Sequence, residues 1–438
     1  MHRSEVSTAT EAATMPAPAA HSIAIVGSGP AGCYVAHFLR KRWPTAEIVI
    51  FDRLGLPYGL VRYGVAPDHT GTKAVARQFD RLFEQGGVRF VGGTEIGRHL
   101  TVDQLREAFD VVVLATGLSA DRPLGIPGAT GRPVPVVTTS TGTQPAGATV
   151  HGAALSGAAL SGVYGSGRLT RLINGHPDEN AEGVVFGSRV AIVGQGNVAI
   201  DLLRLLLMSP DELRGHGVAD EVVNAIAAGP VRHIDIVGRS SLSRAKFDPA
   251  MISELAKIPN VRFLADHGEL HDADAEPRDL AKRDVLLRLL ATASHDADRT
   301  DANPGSDRTV RFHFGWVPER LEGAGSVDTL SLRGSVGSDS SLKLAVDSVL
   351  TAIGFFEAAD APLRRQSHES PDSDLEIGRL GPGLYCVGWL RRGPQGTIPA
   401  NRTDAKMVAD VIAAAADAGE FFPGKPGFAG LNLLPSDH

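Results

Sequence analysis

The stretch "IAIVGSGPAG" places Gly27, Gly29 and Gly32 directly after an apolar run. In a turn spaced this way the first glycine permits the tight bend and the second lets backbone approach a pyrophosphate. The third allows helix and strand to pack closely. The helix that follows offers unbonded N–H groups and partial positive charge to phosphates. Asp52 ends the next apolar run, "EIVIFD", where a carboxylate accepts hydrogen bonds from ribose hydroxyls. A second such turn occurs in "VAIVGQGNVAID", with Gly194, Gly196 and Ala199. Here Asn197 stands where it can cap the helix. The strand after this turn ends not in an acid but in Gly238–Arg239. A carboxylate would repel a 2′-phosphate, whereas an arginine binds one with charge-assisted hydrogen bonds. The first turn therefore suits a nucleotide with a free 2′-hydroxyl and the second suits NADP(H). FAD with NADPH is the simplest pairing, because a flavin accepts a hydride and needs a donor. The alternative for the first turn is a glycine bend of a doubly wound sheet that binds nothing.

The elements that must position these residues are legible around them. "SIAIVG", the helix "CYVAHFLRKRW" and "EIVIFD" form one βαβ unit. "RVAIVG", the helix "NVAIDLLRLLL" and "HIDIVGR" form another. "VVVLATG" and "SVLTAIG" are matching buried strands with glycine exits, of the type at which two-dinucleotide flavoproteins cross between domains. "TVRFHFGWVPERLEG" and "TLSLRGS" alternate like antiparallel strands. "LAKRDVLLRLLATA" and "TDAKMVADVIAAAADA" read as helices, and "GLYCVGWL" as one more strand. The expected organisation is a tail over 1–20 and an FAD domain begun over 21–120. An NADP domain over 121–345 and the rest of the FAD domain over 346–438 complete it. Val134 to Gly162 is rich in Gly, Ala, Ser and Thr, as in "GAALSGAALSG", and reads as a linker or long loop.

Bulk composition narrows the class. The chain has 438 residues, too many for one small domain. A net charge of −7 argues against a general nucleic-acid binder, and no apolar run is long enough to span a bilayer. Its densest run, "LLRLLLM", is interrupted by Arg204. The two cysteines, Cys33 and Cys386, lie far apart, which removes a redox dithiol and any cysteine-only metal or iron–sulfur site. Electrons must then sit on a bound organic cofactor. No metal site is expected. Cytoplasmic residence fits this cysteine usage. The first 20 residues lack an apolar core and carry Glu5 and Glu11, so they read as a flexible tail rather than a signal.

The set "PYGLVRYGVAPDHTGTK", "ATGLSADRPLGIPG", "LINGHPDEN", "VGQGNVAID" and "VGWLRRGPQGTIPANR" resembles the adrenodoxin-reductase-type ferredoxin–NADP reductases, including the actinobacterial members. The motifs keep the family's order from Ile23 to about Ile412. The resemblance implies an α/β fold of two Rossmann-like domains, glutathione-reductase-like, with the NADP domain inserted in a discontinuous FAD domain. It implies FAD contacts at Gly27, Gly29, Ala31, Gly32, Asp52, Leu60, Ile96, Trp389, Gly396, Thr397 and Ile398. The last three would open a helix whose positive end faces the flavin. NADP contacts are implied at Arg122, Gln195, Gly196, Asn197, Val198, Arg239 and again Gly396. His69 and Glu254 match polar residues lining the nicotinamide–flavin junction, with roles of positioning and tuning. The alternatives are a structural histidine for His69, a solvated helix face for Glu254 and plain core for Trp389.

Two positions depart from the family. Ser240 replaces the second of two adjacent arginines, and Met251 replaces a glutamate. A lost guanidinium removes ~1–3 kcal/mol of 2′-phosphate binding, and Arg244 and Lys246 are near enough in sequence to compensate. The implied activity is hydride transfer from NADPH to FAD, then single electrons to a ferredoxin-like iron–sulfur protein, which can serve a cytochrome P450 or other oxygenase. Arg168, Arg171, Arg204, Arg391 and Arg392 are candidate docking cations or else ordinary surface charges. The other readings are a diaphorase-like or biosynthetic reductase without a ferredoxin, and a non-catalytic flavin-binding scaffold.

Overall fold

The computed structural model describes residues 20–129, 160–227, 231–266, 277–296, 308–335 and 340–431. The expected tail, and all of the Val134–Gly162 stretch before Leu160, lie outside these residues. Two six-stranded sheets dominate what is described. In spatial order the first contains Arg379–Gly381, Leu384–Cys386, Val111–Leu114, Ser22–Val26, Glu47–Phe51 and Arg89–Val91. All its neighbours pair in parallel except the first two. Strands from both ends of the chain thus share one sheet, and the domain that it forms is discontinuous. The second sheet orders Val163–Gly165, Ser348–Thr351, Arg189–Val193, His233–Gly238, Arg308–Phe314 and Val261–Ala265, all parallel.

The central strands are near-continuous Val, Ile and Leu because both faces are covered, as parallel sheets require. On one face of the first sheet lies the helix Pro30–Arg42, packed through Val35, Ala36 and Leu39 in a core shared with Val408 and Ile412 of the closing helix Ile398–Asp417. On the other face Leu105 of the helix Val102–Ala108 shares a core with Val49, Phe51 and Leu114. Each fully buried Val, Leu, Ile or Phe among these contributes ~1.5–3 kcal/mol. In the second domain the helix Asn197–Leu207 is buried along most of its length. A three-stranded antiparallel meander, Trp316–Glu322, Thr329–Gly334 and Ser341–Ala345, covers the opposite face.

Two expectations need correction. "TVRFHF" is a parallel strand inside the second sheet, not a partner of the antiparallel meander, because Gly315, at φ +78°, turns the chain between the two. Ser348–Thr351, which follows the expected boundary at residue 345, pairs within the second sheet. "GLYCVGWL" is a strand only to Cys386, and Trp389 opens a short helix. The crossings between domains run through a small antiparallel ribbon, Ala120–Asp121 against Phe355–Phe356, next to the two strands with glycine exits.

Candidate nucleotide sites and their junction

The first glycine turn is sterically committed. A Cβ on Gly27, which sits at φ +108°, would stand 2.5 Å from the Ala115 carbonyl oxygen, and one on Gly32 would stand 2.1 Å from the Gly27 carbonyl oxygen. At Gly29 a Cβ would meet nothing within 4 Å, so space lies open over the turn. The first amides of the Pro30–Arg42 helix, including Ala31 and Gly32, have no intrahelical acceptor and face that space. Asp52 holds the turn from below. One carboxylate oxygen accepts from the Ser28 amide at 2.8 Å and its hydroxyl at 2.5 Å, and the other accepts from the Leu54 amide at 2.9 Å. The oxygen that accepts from Leu54 has a further lone pair for a ribose hydroxyl.

Two distant segments close on this turn. The Tyr58 amide donates to the Ser28 carbonyl, and a Cβ on Gly59 would lie 3.1 Å from the Gly29 Cα. Tyr58 itself has φ 91°, a strained value for a non-glycine residue, and its hydroxyl donates to Asp80. Leu60 begins the next short helix and is exposed. From the other end of the chain, a Cβ on Gly388 would sit 2.6 Å from the Ala31 Cβ, which brings Trp389 to the turn. Trp389 stacks on Phe355 at 5.5 Å, and its buried indole N–H has no partner. Buried Asp404 anchors this segment, accepting from the Gly388 amide at 2.6 Å and pairing with Arg391 and Arg392. Gly396 has φ +83°, and Thr397 is the N-cap of the Ile398–Asp417 helix without a side-chain cap bond, so its leading amides remain available. A cradle walled by these two segments with space over Gly29, a carboxylate under it and an orphaned indole donor fit FAD. Ile96 is a core residue of the first domain.

The second turn is built alike but covered differently. A Cβ on Gly194 would lie 2.2 Å from the Ala352 carbonyl oxygen, and one on Gly238 would meet the Gln195 side chain at 1.9 Å. Gln195 lies across the strand end, donating to the His313 carbonyl at 2.9 Å, while its Oε1 is buried without a partner. The expected capping by Asn197 does not occur. Gly196 is the N-cap, and Asn197 Oδ1 instead accepts from the Asp248 amide at 2.8 Å. The segment after Arg239 is thus tied over the turn. Lys246 bridges Gly196 by backbone, and its amide donates to the Gln195 carbonyl at 2.9 Å. Arg239, Arg244 and Lys246 are all exposed, and no ion pair holds them among the described residues. This open cationic rim fits a nucleotide with an extra phosphate. Val198 follows within the helix, and Arg122 is exposed at the crossing ribbon, its amide donating to the Gly354 carbonyl.

Between the domains, His69 and Glu254 converge on one side chain that the sequence reading misplaced. Arg204 is buried, with 7% of its side chain exposed, and cannot serve as a docking cation. It donates to both oxygens of Asp68 at 2.6 and 3.0 Å and to Asp201 at 2.8 Å, and it contacts His69 Nε2 at 2.8 Å. Glu254 Oε2 stands 3.6 Å from its Nη1. Burial opposes ionisation of both aspartates. The two-pronged bond to Arg204 wins at Asp68 and holds its carboxyl below the ordinary range, whereas burial wins at Asp201 and pushes it up. The signal was in the sequence: an arginine within a helix that is apolar almost all round, three residues after an aspartate, must be buried and paired. The other docking candidates are also engaged, Arg391 and Arg392 by Asp404 and Arg171 by Glu179. Arg168 is the most exposed of them, its side chain 41% accessible and 3.6 Å from the same glutamate.

Thiol chemistry has no place here. Cys33 and Cys386 are free and buried, and burial pushes the Cys386 thiol up to about 12. Among the described residues no helix is long and apolar enough to cross a membrane, and no cluster of His, Cys, Asp and Glu could hold a metal.

Residues 21–207 match the pyridine nucleotide-disulphide oxidoreductase family. Cindoxin reductase of Citrobacter braakii is 45% identical over 409 residues, covering 93% of this chain and 80% of the relative. The mitochondrial NADPH:adrenodoxin oxidoreductase of Arabidopsis thaliana is 30% identical, over 94% of this chain and 86% of its own. The structure of Mycobacterium tuberculosis FprA in complex with NADPH superposes with a TM-score of 0.74 at 28% identity, covering 92% of this chain and 87% of that one. With two nucleotide turns on two parallel sheets and near full-length likeness to these reductases, the chain belongs to the adrenodoxin-reductase-type ferredoxin–NADP reductase family.

Proposed function

We propose that this protein is a cytoplasmic NADPH-dependent flavoprotein reductase that delivers single electrons to a ferredoxin-type iron–sulfur protein. The observation that carries it is the contrast between the turns: Asp52 beneath an enclosed cradle in one domain, Arg239 on an open cationic rim in the other. FAD, when bound, supplies a hydride acceptor that can release its electrons one at a time.

The chain's own residues do the rest. Gly27, Gly29, Ala31, Gly32 and Asp52 hold the resident nucleotide, and Leu60, Ile96 and Trp389 line its site. Gly396, Thr397 and Ile398 aim the partial positive end of the closing helix at the flavin. Gln195, Gly196, Asn197 and Val198 receive the pyrophosphate of NADPH, while Arg239 and Arg122 take its charged groups. His69 and Glu254 orient the nicotinamide rather than transfer an obligatory proton. The redox partner is an iron–sulfur protein of the cindoxin, adrenodoxin or ferredoxin kind, the carriers that the relatives are named for, in the service of a cytochrome P450 or other oxygenase.

The test is reduction of a ferredoxin by NADPH with this protein as the only catalyst. The rate should fall from low to moderate salt, since charge steering reaches only ~8–10 Å near physiological ionic strength, while reduction of a neutral dye should barely change. A flat profile with every ferredoxin tried would favour a diaphorase-like reductase with another acceptor.

A further inference from the structure

The Asn197–Leu207 helix has apolar neighbours along most of its length, so a guanidinium inside it must satisfy its donors locally or destabilise the fold. Arg204 does so across a domain boundary. Asp68 and His69 belong to the first domain's chain segment, whereas Asp201 and Glu254 belong to the second. That segment is seated in the second domain at further points. Ala66 lies in the second domain's apolar core, Lys73 Nζ donates to Asn174 Oδ1 at 2.7 Å, and the Tyr63 ring meets His176 at 4.8 Å.

We propose that Arg204 is a positioning residue of the hydride-transfer junction: it locks the Asp68–His69 turn onto the second domain and fixes the His69 ring with Nε2 as acceptor and the proton on Nδ1. The inference rests on the reading of His69 and Glu254 as junction residues. Its chemical core is simple. A guanidinium has donors only, so Nη2 at 2.8 Å favours a lone pair over an N–H on His69 Nε2; the two Nη2 hydrogens are shared with Asp68 and Asp201, and Asp201 Oδ1, 3.5 Å from Nε2, is the competing acceptor. A ring that accepts there carries its hydrogen on the opposite nitrogen. Asp68 sets the angle of the fork by binding Nε and Nη2 together, and Asp201 draws the same Nη2 from its own helix. Nη1 remains buried without a hydrogen bond, and Glu254, half exposed at 3.6 Å, is the carboxylate able to close on it. Arg204 therefore touches both junction residues while lying beneath them. Lysine, a single point charge, cannot reproduce the fork.

The experiment pairs ring spectroscopy with rapid kinetics on the holoprotein. Nitrogen-15 correlation spectra of the histidine rings, with His69→Gln to identify the signal, should show wild-type His69 protonated on Nδ1 and bare on Nε2. In Arg204→Lys that signal should move to averaged tautomers. Anaerobic flavin bleaching by NADPH should slow by roughly tenfold to a hundredfold, with the NADP+ dissociation constant and FAD content within about twofold. A purely structural role would lower stability and FAD content but leave the ring signal in place. A wild-type ring protonated on Nε2 would overturn the proposal, as would an unchanged Arg204→Lys ring and bleaching rate. The wild-type spectrum decides even if Arg204→Met fails to fold. If His69→Gln slows bleaching and Arg204→Lys does not, only the role of Arg204 falls. Should His69→Gln leave bleaching untouched, the junction reading falls and takes the proposal with it.

Discussion

The two glycine turns share a βαβ frame and differ in what covers them. At the first, Tyr58–Gly59 from one side and Gly388–Trp389 from the far end of the chain close on the cradle, with Asp52 bonded beneath. At the second, a single segment after Arg239 is tied across the turn, and its three cations face solvent. On the proposed reading, the enclosed turn retains a nucleotide and the open one exchanges it. In that reading the chain that later folds over the motif decides whether it is a cofactor site or a substrate site.

The largest expected effect comes from breaking one turn and then the other. Gly32→Ala forces a Cβ to 2.1 Å from the Gly27 carbonyl oxygen and should yield colourless apoprotein, as should Asp52→Ala. Gly238→Ala displaces Gln195 and should leave the protein yellow yet unresponsive to NADPH, as read by the flavin-to-protein absorbance ratio and by bleaching. Flavin loss in Gly238→Ala would erase the distinction between the turns. Next, Arg239→Ala should raise KM for NADPH by about ten- to a hundredfold, worth ~1–3 kcal/mol, and leave KM for NADH unchanged. Equal effects on both coenzymes would remove Arg239 from the phosphate site. Smaller shifts of the same sign are expected for Lys246→Ala, and Ser240→Arg should sharpen the preference for NADPH.

The smallest effect serves as a control away from both turns. Asp347 accepts from the Arg189 side chain at 2.8 Å and from the Arg189 amide at 2.9 Å, and the Arg189 hydrogen bond holds its carboxyl below the ordinary range. A lowered folded value stabilises above the unfolded one and is lost as pH falls through the folded one. Asp347→Asn should therefore cost ~0.5–1 kcal/mol at pH 7, allowing for partial exposure, and progressively less below about pH 4. Denaturant melts at the two pH values check this, and kinetics toward either coenzyme should not move.

Much of this was legible before any coordinates. Glycine spacing and the residue at each following strand end report backbone geometry and charge directly, so the two turns and the placement of Asp52 and Arg239 at the strand ends could be read locally. What could not be read depends on distant partners. "TVRFHF" alternates as an antiparallel strand would, and only its neighbours His233–Gly238 and Val261–Ala265 make it parallel. Asn197 has the chemistry of a cap, but the Asp248 amide competes for its oxygen. Arg204 looked like a surface cation because its partners Asp68 and His69 lie in the other domain.

The central claim is that one nucleotide is held and the other visits. Anaerobic titration of the purified protein with NADPH and then with NADH, following flavin absorbance, tests it most directly. The account predicts tightly bound FAD, bleached stoichiometrically by NADPH and far less readily by NADH. Acid-released flavin running as FMN, or a flavin that NADPH does not reduce, would contradict it.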